Sequence, residues 1–194
     1  MQNNKRVVGF ILLIAGAIMI SIPFFYEWKQ NQKTAALEEA LSLVSQSDEV
    51  DLASINHLSL SQSELDEVIE LEIPAIELKQ KILPNTTEEN LSIALTQIKS
   101  NQTLGEGNFT IAGHRGYRED RHFHSLPDVP IGAEVILHDK EERYIYEITS
   151  MQVIDPTYVE ILEDKPNQNE LTLITCTIDG KKRIALQGKL AHMK

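Results

Sequence analysis

The sequence predicts a mainly β domain, built as a small closed or nearly closed barrel, that follows a membrane-spanning helix. From about Glu67 onward, short apolar runs alternate with turn residues, the pattern of successive short strands. One segment, Glu89–Lys99, places its apolar residues at helical spacing instead. Closing many short strands into a barrel removes their exposed edges, so a barrel with one inserted helix accounts for both observations.

The N-terminal segment is expected to anchor the chain in a membrane. Residues Val7 to Tyr26 carry no charge and are long enough to cross a hydrocarbon core of about 30 Å as a helix. Lys5 and Arg6 precede the span, so the positive-inside rule places residues 1–6 in the cytoplasm and the rest of the chain outside. A cleaved signal peptide is the alternative, but this span ends in bulky aromatic residues rather than a small-x-small cleavage site.

Residues 27–66 are interpreted as a spacer between the transmembrane anchor, residues 7–26, and the folded domain. The stretch from Glu27 to about Gln62 lacks glycine and proline, and its apolar residues recur at helical spacing. This favours an extracellular juxtamembrane helix and a polar linker, followed by one folded domain over residues 67–194. The formal net charge of −11 argues against nucleic acid as a partner, because a nucleic-acid surface needs a basic stripe.

The predicted strands share an apolar-rich composition and turn residues at their ends. They are Val68–Ile73, Ile76–Leu83, Phe109–His114, Glu134–His138, Tyr144–Ile154, Leu171–Cys176 and Arg183–Leu190. Asn85 to Glu88 resembles a helix N-cap with an acidic first turn. The helix predicted after it presents one apolar face, made of Leu91, Ala94, Leu95 and Ile98.

Cys176 is the only cysteine in the chain. Exported chains use cysteines mostly in disulfides, so a lone cysteine is either a small buried hydrophobe or a thiol kept for its chemistry. Its place at the end of a strand, where a barrel opens, suits a catalytic group carried on a rigid element. A free thiol has a pKa of about 8.5, so it needs a base or a positive charge to act as a nucleophile at neutral pH.

His114 and Arg183 are the candidate partners of this thiol. His114 follows the apolar run Phe109–Ala112 and Gly113, so a buried strand delivers it to a loop where glycine permits close approach of a substrate. Arg183 opens the last predicted strand, and a hairpin would place it beside Cys176, where a guanidinium stabilises a thiolate or a developing oxyanion. Taken singly, a structural histidine and a surface arginine remain open as alternatives.

The motifs Ala112-Gly113-His114, Leu171-Thr172-Leu173-Ile174-Thr175-Cys176 and Arg183, in this order, closely resemble those of the sortases, the cysteine transpeptidases of Gram-positive cell surfaces. The resemblance runs from about Glu70 to Lys189 and is greatest to the class A enzymes. An N-terminal anchor followed by a catalytic domain outside the membrane is also the usual order in that family.

The resemblance implies a closed eight-stranded sortase-type β-barrel with one or two short helices, and it implies three catalytic roles. Cys176 would be the nucleophile, His114 the acid and base, and Arg183 the residue that stabilises negative charge. Sortases cut a C-terminal Leu-Pro-any-Thr-Gly (LPXTG) sorting signal after threonine. They hold the surface protein as a thioester and pass it to an amine of lipid II, a peptidoglycan precursor. The implied partners are therefore LPXTG-bearing surface proteins and lipid II, with no cofactor.

The connection between Gln152 and Glu170 is expected to form one wall of the groove for the sorting signal, because it leads directly into the Cys176 strand. The side chains predicted to contact the signal are Ala112, Thr175, Val153, Ile161 and Leu162. Some class A sortases are tuned by calcium through acids beside this loop. Three acids lie here, Glu160, Glu163 and Asp164; their spacing does not decide between a metal site and none, and we expect no metal requirement.

Two other functions are compatible with these residues. A membrane-anchored cysteine hydrolase that releases peptides to water would use the same three side chains. A non-enzymatic anchored barrel would bury Cys176 and leave it unreactive toward thiol reagents. The strongly charged loop Arg115–Arg121, after His114, departs from the pattern of the family and leaves accessory substrate contacts undecided.

Overall fold

The computed structural model describes residues 2–44, 60–116, 122–140 and 142–194, and the chain divides into two compact units, residues 1–59 and 60–194. The described part of the first unit is one helix, α1 (Gln2–Val44), with Pro23 inside it. By length and composition α1 can cross a membrane. It covers both the predicted span and the predicted juxtamembrane helix, whereas most of the predicted polar linker lies outside the described residues.

The second unit is a closed barrel of eight strands, which confirms the predicted fold. The strands are β1 (Ile69–Ile73), β2 (Leu78–Leu83), β3 (Leu95–Gln97), β4 (Asn108–Ala112), β5 (Glu134–His138), β6 (Arg143–Ile154), β7 (Glu170–Cys176) and β8 (Arg183–Met193). Around the barrel they follow the order β1-β2-β3-β4-β7-β8-β6-β5. Two short helices accompany them, α2 (Gln62–Asp66) and α3 (Glu88–Ile93).

Two strand pairings bring distant parts of the chain together at one end of the barrel. Strands β4 and β7 are parallel, so both run toward the same end, and β7 continues into β8 through a short antiparallel hairpin. The last residues of β4 and β7 and the first residue of β8 therefore lie side by side. This end of the barrel holds all three residues to which the sequence assigns chemistry.

The helix predicted over Glu89–Lys99 is wrong in its second half. Helix α3 begins as expected, with Thr87 as N-cap accepting a hydrogen bond from the backbone N–H of Asn90 at 3.0 Å. It ends at Ile93, and the chain then forms β3, whose Thr96 pairs with Ala112 of β4. An apolar run this short fits either a helix or a strand. The residues after Ile93 form a strand because the barrel closes by pairing them with β4.

The barrel interior is filled by large apolar side chains from all around the sheet. The most deeply buried include Phe109, Ile111, Phe123, Tyr146, Leu171 and Leu173. Gly113, directly after β4, is packed so closely against this core that a Cβ there would overlap the side chains of Leu95 and Phe123. Glycine at this position therefore lets the backbone leave β4 in close contact with the core. This contact sets the position of the His114 backbone.

Candidate active site

The end of β7 and the start of β8 form the centre of the candidate site. Cys176 is directly opposite Arg183 in the antiparallel register, and Cys176 is a partly buried free thiol. Opposite residues of such a pair point to the same face, with Cβ atoms about 4.5–5.5 Å apart. The connecting turn is closed by the bond from the Thr177 N–H to the Lys182 carbonyl at 3.0 Å. The predicted hairpin is therefore present, and it holds the Cβ atoms of Cys176 and Arg183 next to each other.

The segment after β4 approaches the cysteine strand from the other side. The Gly113 N–H donates to the Ile174 carbonyl at 3.0 Å, and the Thr175 hydroxyl donates to the Gly113 carbonyl at 2.9 Å. These two bonds continue the β4–β7 pairing by one residue beyond Ala112, which is opposite Ile174. Because parallel neighbours lie about 4.8 Å apart, one further residue brings His114 alongside Cys176.

The side chain of His114 is exposed, and its ring lies edge-on to that of His122, with centroids 6.3 Å apart. His122 is buried and sits at a positive φ of 52°, so it belongs to the packed base of the loop rather than to its open surface. Of these two imidazoles, His114 is therefore the one that solvent or a substrate can reach. Most of the charged loop that follows, residues 117–121, lies outside the described residues.

The guanidinium of Arg183 is oriented by the β7–β8 turn. Its Nη1 donates to the carbonyls of Gly180 at 3.3 Å and Lys182 at 3.2 Å. In the described part of the chain, no carboxylate forms a salt bridge with Arg183. A guanidinium has five N–H donors, so further donors remain for a ligand oxygen.

The alternation of side chains along β7 places the thiol on the outer face of the barrel. Leu171 and Leu173 face the interior, and Thr175 follows them, with only 2% of its surface exposed. Ile174 faces outward, where it contacts the outer apolar cluster, and Cys176 continues that face. Thr175 was predicted to contact substrate, but its side chain points inward and bonds Gly113.

The 3₁₀ turn Val159–Leu162 packs on this outer face. Ile161 is buried and contacts Ile154 of β6 and Ala185 of β8, and Leu162 and Ile174 pack partly buried against the same cluster. Ile161 therefore forms the packed underside of the predicted wall, while Leu162 keeps part of its surface open. Ala112 shares this face, because it is opposite Ile174 in the β4–β7 register.

Val153 does not join the other predicted contact residues. It lies within β6, opposite Ile184 of β8, and its side chain is exposed. Since successive residues of a strand point to opposite faces, Val153 faces away from the side on which Ile154 and Ile161 meet.

Asn108 is a functional candidate that the motif analysis did not single out. Its side chain is buried, and its Nδ2 donates to the carbonyls of Ile161 at 2.9 Å and Glu163 at 3.4 Å. Its Oδ1 accepts a hydrogen bond from the Thr172 hydroxyl on β7 at 2.8 Å. One amide thus ties the loop between β6 and β7 to the strand that carries Cys176. The signal in the sequence is an asparagine at the first position of a buried strand.

Asp164 fastens the same loop at a second point. Its Oδ1 accepts hydrogen bonds from the Lys99 ammonium at 2.7 Å and from the Asn108 N–H at 2.8 Å. The Lys99 bond, followed by the Asn108 bond, lowers the pKa of the Asp164 carboxyl below its usual value. Among the described residues, no group of three or more histidine, cysteine, aspartate or glutamate side chains is arranged to hold a metal ion.

Comparison with known proteins places these residues in a family. Residues 71–191 match the model of the sortase domain. The chain is 28% identical to sortase A of Bacillus anthracis over 207 aligned positions, which cover 100% of this chain and 97% of the relative.

Solved structures give the same result. The crystal structure of sortase A from Listeria monocytogenes matches with a TM-score of 0.62 and 28% identity over 65% of this chain and 88% of that one. Sortase C1 from Streptococcus suis matches with a TM-score of 0.62 and 30% identity over 67% and 76% of the two chains.

Proposed function

The chain belongs to the sortase family of cysteine transpeptidases, and on that premise we propose that it cleaves LPXTG-type sorting signals after threonine and transfers the surface protein to an amine of lipid II. The observation that carries the proposal is the pairing of Cys176 with Arg183, with His114 delivered by the adjacent parallel strand. We further propose that α1 crosses the membrane once, with its N-terminus in the cytoplasm and the barrel outside.

The proposed reaction has two halves that share one thioester. The Cys176 thiolate attacks the threonine carbonyl carbon, and the threonine–glycine C–N bond breaks as the His114 imidazolium gives its proton to the leaving amine. The incoming amine then attacks the thioester and gives a proton to the now neutral imidazole. The new amide forms, the thiolate leaves, and both catalytic side chains return to their starting states.

Arg183 is proposed to stabilise the oxyanion that forms on the threonine carbonyl in both halves. Its stem is opposite Cys176, and its Nη1 is already oriented by the turn carbonyls, so little ordering is needed when substrate binds. The donors that remain unused point to a role like that of the backbone donors in serine proteases.

Arg183→Lys is expected to lower turnover by about a hundredfold or more, although it keeps the positive charge. Lysine lacks the planar set of donors, so the bonds to the turn and the bond to the oxyanion can no longer form together. The rate of thioester formation in a single turnover measures the loss. Lys181→Ala serves as the matched control, because that exposed side chain lies in the same turn, and it should have a mild effect. Near-wild-type activity of Arg183→Ala would contradict the assignment.

The sorting signal is proposed to lie along the outer face of β7 and β8, under the 3₁₀ turn. Ala112, Ile174 and Leu162 offer small or partly open apolar surface there, which suits the leucine and proline of the signal. This places the signal beside Cys176 on the same face of the sheet. The proposed contacts do not include Thr175 or Val153, because these side chains point away from this face.

Asn108→Ala is expected to raise the KM for a signal peptide several-fold, with a smaller fall in kcat. The substitution removes the bonds that hold the Ile161 and Glu163 carbonyls, so the wall of the groove loosens while Cys176 keeps its place. We also expect a loss of about 1–3 kcal/mol in the free energy of unfolding, because buried partners lose their bonds. Asn169→Ala, at an exposed asparagine of the same loop, is the control. An unchanged KM beside a clear loss of stability would assign Asn108 a purely structural role.

The experiment that tests the function uses the full chain in neutral detergent micelles with a Leu-Pro-Glu-Thr-Gly peptide. We expect a mass increase on Cys176 equal to the Leu-Pro-Glu-Thr acyl group. On addition of triglycine, we expect a peptide joined to triglycine instead of the free acid. No adduct on Cys176 would refute the proposal. An adduct that always resolves to the free acid would identify a hydrolase instead.

A further inference from the structure

A cavity of about 870 Å³ lies at the opposite end of the barrel from Cys176. It is lined by Ile69 at the start of β1, by Phe109 near the start of β4 and by Tyr144 near the start of β6. Phe109 pairs with Leu171, and from there the β7 strand extends for roughly 16 Å before it reaches Cys176. The cavity is therefore a separate place in the domain and cannot be part of the sorting-signal groove.

The amide of Gln97 is the most informative group in this cavity. Gln97 ends β3 and lines the cavity, with only 9% of its surface exposed. Leu95, two residues earlier on the same face, is fully buried in the core. The backbone carbonyl of Gln97 accepts a bond from the Thr86 hydroxyl at 2.7 Å, but within the described ranges its side-chain amide has no hydrogen-bond partner. The amide borders the open cavity and is not sealed from solvent, so its donors and its acceptor are available to a ligand.

The rim of the cavity carries an excess of negative charge. The charged side chains that line it are Asp66, Glu67, Asp139, Lys140 and Glu142. Lys140 is paired with Asp66 at 3.1 Å, and the Glu142 carboxylate accepts a bond from the Tyr144 hydroxyl at 2.6 Å. The described lining residues therefore carry four carboxylates and one ammonium group. Such a rim attracts cations and repels anions.

We propose that this cavity binds a lysine- or arginine-bearing segment of a polypeptide. The apolar stem of a basic side chain would lie against Phe109 and Tyr144, since long cationic side chains bury their stems and keep the charged head near water. The cationic head would meet the carboxylates of the rim. The Gln97 amide, which has both donors and an acceptor, would pair with a backbone peptide group of the same segment.

The test measures binding of a fluorescein-labelled peptide of alternating lysine and alanine to the full chain in neutral detergent micelles, by fluorescence anisotropy. We expect Gln97→Leu to weaken binding by about 3- to 10-fold, the effect of one lost hydrogen bond. Glu67→Gln, an exposed change that keeps the shape of the side chain, should weaken it by about twofold or more. Glu134→Gln removes an equal charge from the exposed start of β5, away from the cavity, and should leave binding unchanged.

Three results would overturn the proposal. One is equal binding of a peptide with glutamate in place of lysine. The second is equal weakening by Glu67→Gln and Glu134→Gln, which would mean general attraction to an acidic protein. The third is unchanged binding in Gln97→Leu. Alkylating Cys176 with iodoacetamide should leave peptide binding intact, so this test and the test of transpeptidation succeed or fail separately.

Discussion

Cys176→Ala is expected to abolish both cleavage of a signal peptide and transfer to an amine, while the barrel stays folded. The substitution removes the only sulfur of a cysteine in the chain and very little volume. The thiol is partly exposed at the outer end of β7, so its loss leaves no large cavity in the core. Mass spectrometry of the protein after incubation with the peptide measures the thioester directly.

The matched control for this variant is Ile178→Ala, two residues further along the chain. That change shortens an exposed side chain in the same turn and leaves the thiol in place. It should retain thioester formation, and the melting temperatures of both variants should remain close to that of the wild type. Any acyl adduct in Cys176→Ala would mean that another side chain carries the chemistry.

His114→Ala is expected to lower turnover by about a hundred- to ten-thousand-fold, with a much smaller effect on peptide affinity. Proton transfer to the leaving amine is needed only in the transition state, so its loss appears in kcat rather than in binding. His114 follows Gly113, whose backbone is bonded to Ile174 and Thr175, so the loss of its side chain leaves that anchor intact. Steady-state kinetics with a fluorogenic signal peptide separates the two parameters.

His192→Ala provides the comparison for this prediction. His192 is exposed near the end of β8, far along the chain from the hairpin, and its replacement should be nearly neutral. If His114→Ala keeps its activity while His122→Ala or His124→Ala loses it, the acid and base have been assigned to the wrong histidine.

The sequence predicted the parts of the site that depend on short connections. The β7–β8 hairpin joins its strands through a few turn residues, so the pairing of Cys176 with Arg183 follows from local pattern alone. The N-cap at Thr87 is likewise local. By contrast, β3 was assigned to a helix because its few apolar residues match both periodicities, and only pairing with β2 and β4 makes it a strand.

The missed and misplaced residues of the groove have two different causes. Asn108 bonds groups more than fifty positions away in the chain, and no local pattern reveals such partners. Thr175 and Val153 each lie next to a residue of the outer apolar face, but alternation along a strand sends adjacent side chains to opposite faces. Counting in steps of two from Leu173 would have placed Thr175 inside the barrel from the sequence alone.

Closure of the barrel limits the ways in which this protein can bind a peptide. Strand β7 is paired with β4 on one side and with β8 on the other, so a segment bound beside it finds no open row of backbone groups and cannot be recognised by addition of a strand to β7. Recognition must then come from side chains and from the loop that Asn108 and Asp164 hold in place. A proline has no backbone N–H to donate to a strand ladder, so it does not weaken binding that depends on side chains. Its fixed φ also makes the bound peptide more rigid. The architecture thus favours short ligands defined by their side chains.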